Sequence, residues 1–175
     1  MDVYRCRLCG ETHLGLGPIS NCPFCGAHGK YMVKLSQWRE ENEGLELSEI
    51  SKNNLEIALD VEVGNTSFYK SASSKAQSSQ AEGIFKRLSK VENEHASTIA
   101  KILGVSTPPL LVIEASDDDK ENYKESFQRE SKAIEHYSKS TGEATEPRIK
   151  EVFSMLVEIE SDHLKLDKQK LGLII

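Results

Sequence analysis

The chain has 175 residues, 38% of them apolar and 29% charged, with a formal net charge of −6. That length accommodates one full domain plus a small module, and the dispersed basic residues in an acidic chain argue against a nucleic-acid or acidic-membrane surface. Residues 1–16 carry charges and two cysteines where a secretory leader needs a continuous apolar stretch, and no window reaches the roughly 20 apolar residues of a membrane span, so a cytoplasmic protein is expected.

All four cysteines fall in the first 25 residues, as Cys6-x-x-Cys9-Gly10 and Cys22-Pro23-x-Cys25-Gly26, with twelve residues between the pairs. Each pair brings two sulfurs near one point in a tight turn, which favours a tetrahedral thiolate metal site over two disulfides or a redox dithiol. One zinc or one iron would satisfy it, and the spacing does not choose between them. Residues 3–5 and 31–33 read as short strands around a turn-rich loop holding Gly15, Gly17, Pro18 and Asn21. About 35 residues bury too little to fold alone, so the metal would supply much of this module's stability. His13 and His28 are expected to be solvated loop residues, because four thiolates already complete a tetrahedron.

A polar connection over 36–47 separates this module, 1–35, from a helical domain, 48–175. Its Trp38, the only tryptophan, is expected to pack against the neighbouring domain or a partner subunit.

Four helices are then predicted. The first, over 48–72, carries Leu55, Ala58, Glu62 and Tyr69 on one stripe, with Ile50, Ile57, Val61 and Phe68 beside it. The second, over 77–103, aligns Ile84, Leu88, Val91, His95 and Ile102, with Phe85, Glu92 and Ile99 alongside and Gly104 as a stop. Residues 105–115 contain Pro108 and Pro109, which forbid continued helix, and an apolar run that needs cover, so they are read as a long crossover. The third helix, over 117–140, spaces Tyr123, Phe127, Glu130, Ile134 and Tyr137 in alternating steps of four and three. The fourth starts near Pro147 and turns Ile149, Phe153, Leu156, Ile159, Glu160, His163 and Leu166 inward.

Every helix therefore aims a carboxylate at the core. By count the two Glu-x-x-His pairs mean little, since 21 Glu and 5 His in 175 residues would produce about 0.6 matches by chance. Position gives them weight. Residues at i and i+3 lie about 60° apart on a helix, so Glu92 with His95 and Glu160 with His163 can each serve one centre. Unpaired buried glutamates are costly, and a shared pair of cations removes the cost. One Glu from each of two helices and Glu-x-x-His from the other two is the ligand set of di-iron and di-manganese bundles. Tyr69 and Tyr137 each stand seven residues beyond a helix-borne glutamate, Glu62 and Glu130, and are expected to hydrogen-bond the ligands. His136 and the charges of Glu94, Glu135, Glu158 and Asp162 are read as surface features.

On these residues the chain resembles a rubrerythrin whose rubredoxin-like module stands at the N-terminus instead of the commoner C-terminus. Cys6, Cys9, Cys22 and Cys25 match the rubredoxin-type iron knuckles; Glu62, Glu92, His95, Glu130, Glu160 and His163 match the di-iron ligands of a ferritin-like four-helix bundle with a long crossover between its second and third helices. The resemblance implies a mainly α protein and a non-haem iron peroxidase, in which the thiolate iron takes electrons from a donor protein and passes them to a di-iron site, iron or manganese by ligand type, that reduces hydrogen peroxide to water. It also implies a homodimer or higher homo-oligomer, with the module facing another subunit's bundle. Typical members add a carboxylate on the third helix, three residues from the shared glutamate, where this chain has Phe127 and Ala133. That places the centre closer to a symmetric six-ligand site. Iron oxidation with dioxygen as oxidant, or a zinc-stapled binding protein without enzymatic activity, are the alternative readings.

Overall fold

A computed structural model describes residues 1–174. Three strands, β1 (Asp2–Cys6), β2 (Thr12–Gly15) and β3 (Met32–Lys34), form an antiparallel sheet in the order β2-β1-β3, and four helices follow: α1 (Glu49–Lys75), α2 (Ser79–Leu103), α3 (Asp119–Glu143) and α4 (Pro147–Lys170). β2 falls in the segment expected as loop. Its residues alternate between exposed and half-buried, so they carry no buried apolar pattern to read.

Local chemistry sets the helix ends. Ser48 accepts from Ser51 N, Ser78 from Ala81 N, and Asp118 from Lys120 N and Glu121 N, while Gly104 closes α2 in the left-handed conformation and Pro147 opens α4. Three-residue connections make α1/α2 and α3/α4 adjacent pairs. The crossover returns along α1, where Leu111 N donates to Ser67 Oγ and Ala115 N to Ser71 Oγ, and it brings Asp119 back to the backbone at Gln77 and Ser78. Thus α2 and α3 start at the same end. The crossover's apolar run finds little cover in this chain: Leu111 is 56% and Val112 97% exposed.

Two corrections concern helix faces. Ile50 and Ile57 lie outside the core, and the buried stripe of α3 is Tyr123, Ser126, Glu130, Ala133 and Tyr137, with Phe127 and Ile134 only partly covered. The small side chains of Ser126 and Ala133 are the ones that fit against the neighbouring helices.

The module is anchored on the α2/α4 side of the bundle. Its buried residues Cys6, Leu8, Cys25 and Ala27 belong to the same apolar cluster as Leu55, Ile99, Phe153 and Ile159. Arg7 pairs with Glu151 at 2.8 Å, Lys30 with Glu158 at 2.7 Å, and His28 bridges Glu158 and Asp162 at 3.2 and 2.8 Å. His28, Glu158 and Asp162 therefore hold module to bundle, where solvated charges were expected. The connecting segment is pinned as well: Asn42 donates to Leu8 O at 2.7 Å and accepts from Arg148 Nε at 3.0 Å. Trp38 packs on the module itself, donating to Cys6 O at 3.2 Å beneath the Arg5 guanidinium. Among the described residues, no helix is long and apolar enough to cross a membrane.

Candidate metal centres

The two knuckles have the same backbone. Gly10 N donates to Cys6 O and Gly26 N to Cys22 O, both at 3.0 Å, and Gly10 and Gly26 take φ of 78° and 82°, a region open to glycine at little cost. All four cysteines are free, with Cys6 and Cys25 sulfurs 3.6 Å apart and those of Cys9 and Cys22 3.8 Å apart. A disulfide needs about 2.05 Å, whereas a tetrahedral ion with bonds near 2.3 Å separates its sulfurs by about 3.8 Å. The donor set fits a metal ion. Cys22 is driven toward thiolate by its Cys25, Cys6 and Cys9 neighbours, while the same crowding raises Cys9 and Cys25.

In the bundle, one turn from each helix meets at mid-length. Glu62, Glu92, His95 and Glu160 bring ligand atoms within 4.8 Å of one another, and so do Glu92, Glu130, Glu160 and His163. The six residues predicted from the sequence are thus brought together, and Glu92 and Glu160 belong to both groups. The arrangement is two-fold: Glu62 and His95 on one side, Glu130 and His163 on the other, two glutamates between. All four glutamates and His95 are fully buried.

Unsatisfied atoms test whether ions belong there. Glu62 Oε2, Glu92 Oε1, Glu130 Oε2, both oxygens of Glu160 and His163 Nδ1 are buried without a hydrogen-bond partner. His163 Nδ1 lies 2.8 Å from Glu160 Oε2 and 3.1 Å from Glu92 Oε1, close but out of the line a hydrogen bond requires. Each orphaned polar atom costs about 1–3 kcal/mol. Two divalent cations would give every one of them a partner, so the residues fit the group. Which metal they take is left open by carboxylate and imidazole donors.

The second ring nitrogen of His95 fixes its role. Nε2 lies 2.8 Å from the Cys25 carbonyl oxygen, which can only accept, so Nε2 carries a hydrogen whatever the charge of the ring, and Nδ1, which faces the carboxylates, is the atom that would give up its proton to offer a lone pair to a metal. The residue that offers its sulfur to one candidate centre thereby offers its carbonyl to a ligand of the other. Gly26 makes this approach feasible: a Cβ there would stand 3.2 Å from Ile159 Cγ2.

The tyrosines cross over between halves. Tyr137 donates to Glu62 Oε1 at 2.5 Å, and Tyr69 donates to Glu130 Oε1, so each phenol serves the glutamate of the opposite helix and not the one seven residues before it. Tyr69 also meets Ser126 Oγ at 2.8 Å, and Ser126 donates to Asp167 Oδ2 at 2.7 Å. Ser126 and Asp167, both fully buried, were not legible as site residues; the only signal was a serine and an aspartate on otherwise inward helical stripes. His136 lies outside both groups of ligands, with Nε2 3.0 Å from Asn54 O and its ring edge-on to Phe153.

Charge is balanced without metal. Burial raises Glu62 and Glu130 well above the carboxylate range, with Glu92 and Glu160 adding to it. Burial acts in the same direction on Glu92 and Glu160, but His95 and His163 outweigh it and hold both low; the imidazoles, against burial, are raised by the carboxylates around them. In metal-free protein these directions favour two carboxylates, two carboxylic acids and two imidazolium ions, a set with no net charge.

A four-helix bundle with two overlapping carboxylate-imidazole groups, joined to a four-thiolate module, defines a metal-binding protein of the ferritin-like di-iron class. The family model described as Rubrerythrin matches residues 53–169, and the chain belongs to that family. No curated protein and no solved structure matches it.

Proposed function

We propose that this chain is a rubrerythrin-type peroxidase, reducing hydrogen peroxide to water with electrons that enter at the cysteine module. The observation that carries the reading is the Cys25 carbonyl on His95 Nε2, a single hydrogen bond between a sulfur-bearing residue of one centre and an imidazole of the other. Iron, when bound at both sites, would supply the one-electron carriers and the place where the oxidant binds. His95 then holds its ring between the two centres with Nε2–H fixed on the carbonyl. Glu92 and Glu160, each in both ligand groups, keep two ions at one spacing. Tyr137 and Tyr69 orient the outer carboxylates. The reaction consumes two electrons and two protons for each peroxide and yields two waters. The route lies within one chain, so a homodimer is not needed to connect the sites.

Mixing fully reduced, iron-loaded protein with peroxide and, separately, with dioxygen tests the reading. Peroxide is expected to oxidise the bundle iron at least tenfold faster; equal or faster oxidation by dioxygen would overturn the assignment. One feature favours a second reading, ferritin-like iron oxidation: Ala133 is a buried core residue and Phe127 an apolar one where a seventh ligand, a fifth carboxylate, would stand. Repeated uptake of ferrous iron beyond two ions per bundle would identify it.

A further inference from the structure

We propose that Asp167, Ser126 and Tyr69 form a proton relay ending on Glu130, with Asp167 holding the transferable proton when Glu130 serves as a metal-ligating carboxylate. This deepens the peroxidase reading and rests on it only for where the proton is used.

The argument is a count of hydrogens. Four groups are joined by three contacts: Asp167 Oδ2 to Ser126 Oγ at 2.7 Å, Ser126 Oγ to Tyr69 OH at 2.8 Å, and Tyr69 OH to Glu130 Oε1. The first two are ordinary O–H···O lengths, and each contact needs one hydrogen. Ser126 and Tyr69 bring one hydrogen each. With both carboxylates ionised, two hydrogens would serve three contacts, and two oxygens would face each other bare inside the core.

One additional proton completes the chain, and it can sit at either end. On Asp167, the bonds run Asp167 to Ser126 to Tyr69 to Glu130; on Glu130 they run in reverse. The two states interconvert as Asp167 Oδ2–H, Ser126 Oγ–H and Tyr69 O–H each break while new O–H bonds form on Ser126, Tyr69 and Glu130 in turn. One proton moves the length of the chain, no electron pair leaves any residue, and both hydroxyls end as they began. Once Glu130 is committed to a cation as carboxylate, only the Asp167 end remains for the proton.

The surroundings agree. Asp167 is fully buried and its Oδ1 has no partner, a costly position for a charged oxygen. Burial pushes it up to about 7, against the hydrogen bond from Ser126 and the charge of His163 on its own helix. From α3 it faces Tyr123 and from α1 Tyr69, both neutral phenols whose own values it helps to raise, while α2 brings apolar Phe85 and Leu88 to the same cluster. Phe85 stacks on the Tyr69 ring, with the ring centroids 6.1 Å apart. Asp167 also lies in the last turn of α4, where helix opening is easiest, so it can be recharged from solvent.

The other half of the bundle is a built-in comparison. Ser126 stands four residues before Glu130 and Asp167 four after His163; the positions equivalent by count are Ala58, before Glu62, and Ile99, after His95. Both are fully buried, and among the described residues the Tyr137 hydroxyl bonds to Glu62 alone. The relay serves one side of the centre.

Infrared spectra of the iron-loaded protein across pH 6 to 8, in water and deuterium oxide, read Asp167 directly and do not depend on which oxidant the protein uses. A protonated-carboxyl band titrating near pH 7 is expected in the wild type, absent in Asp167→Asn, and shifted in midpoint in Ser126→Ala. Asn can still donate to Ser126, so the bonds persist while transfer is lost. Peroxide oxidation should slow about 100-fold in both variants, with a flattened pH profile and two ions still bound. Absence of a titrating band that Asp167→Asn removes, or a Ser126→Ala protein with wild-type rate and pH profile, overturns the relay. Should Asp167→Asn fail to fold, the Ser126→Ala arms decide the question alone.

Discussion

Loading the metal-free protein with two manganous ions at about pH 6 is expected to release four protons from the bundle. Two come from the imidazolium forms of His95 and His163 and two from the carboxylic acids of Glu62 and Glu130, while Glu92 and Glu160 are already ionised. Asp167, at about 7, keeps its own proton throughout, because the proton that Glu130 gives up sits on Oε2, outside the chain of contacts that ends on Oε1. Two dications replace four protons, so the buried site is neutral before and after. Each ion displaces two protons, and its log affinity should therefore climb by about two for each unit of pH. Manganese suits the oxygen and imidazole donors and leaves the thiolate module aside. Calorimetry in buffers of different ionisation enthalpy gives the count, and a release near zero would contradict the charge assignment.

The same proton inventory fixes how metal-free stability changes with pH. Glu62 and Glu130 have folded values above those of the unfolded chain, so they favour the fold fully below about pH 4.3, and that contribution falls as pH rises toward their raised values. His95 and His163 behave alike from about 6.5 upward. Each proton held only in the folded state costs about 1.4 kcal/mol of stability per pH unit in its window. Glu92 and Glu160 act oppositely, losing their contribution as pH falls below about 4.3. The metal-free bundle should be most stable in mild acid, and metal should remove the decline above it.

The four glutamates, identical in residue type and burial, are expected to respond differently to one substitution. Glu62→Gln and Glu130→Gln replace the two carboxyls that burial favours in the uncharged form and retain the oxygen that Tyr137 or Tyr69 bonds, so metal-free stability should change by about 1 kcal/mol or less. Glu92→Gln and Glu160→Gln remove an ionised partner of both imidazolium rings, and breaking a buried pair costs about 3–5 kcal/mol. Loaded protein reverses the emphasis: either outer variant should still hold one ion, whereas loss of a shared carboxylate should abolish two-ion binding. Denaturant midpoints with and without metal separate these cases, and equal losses for all four variants would contradict the division of charge.

The six candidate ligands were legible as one cluster because a helix repeats. Glu92 with His95 and Glu160 with His163 had to share a face, and Glu62 and Glu130 interrupted apolar stripes, a pattern that local geometry alone constrains. Partner choice between helices was not. Seven-residue spacing placed Tyr69 and Tyr137 two turns from Glu62 and Glu130, but the bonds run to the opposite helix because a long phenol reaches across the bundle more readily than along its own axis. Ser126 escaped because a stripe read by hydrophobicity passes over a serine, and Phe127 drew the pattern one residue aside. The seating of the module was equally hidden, since the Cys25 carbonyl on His95 depends on a backbone atom that no residue type advertises.

The proposed function has electrons pass between the two centres within one chain, through the contact of the Cys25 carbonyl with His95. Single-turnover stopped flow, with fully reduced iron-loaded protein and excess peroxide, tests it most directly by following the colour of oxidised thiolate-bound iron. That colour should grow after bundle oxidation with a rate constant independent of protein concentration. A thiolate iron that stays reduced, or one whose oxidation rate scales with protein concentration, would contradict the account.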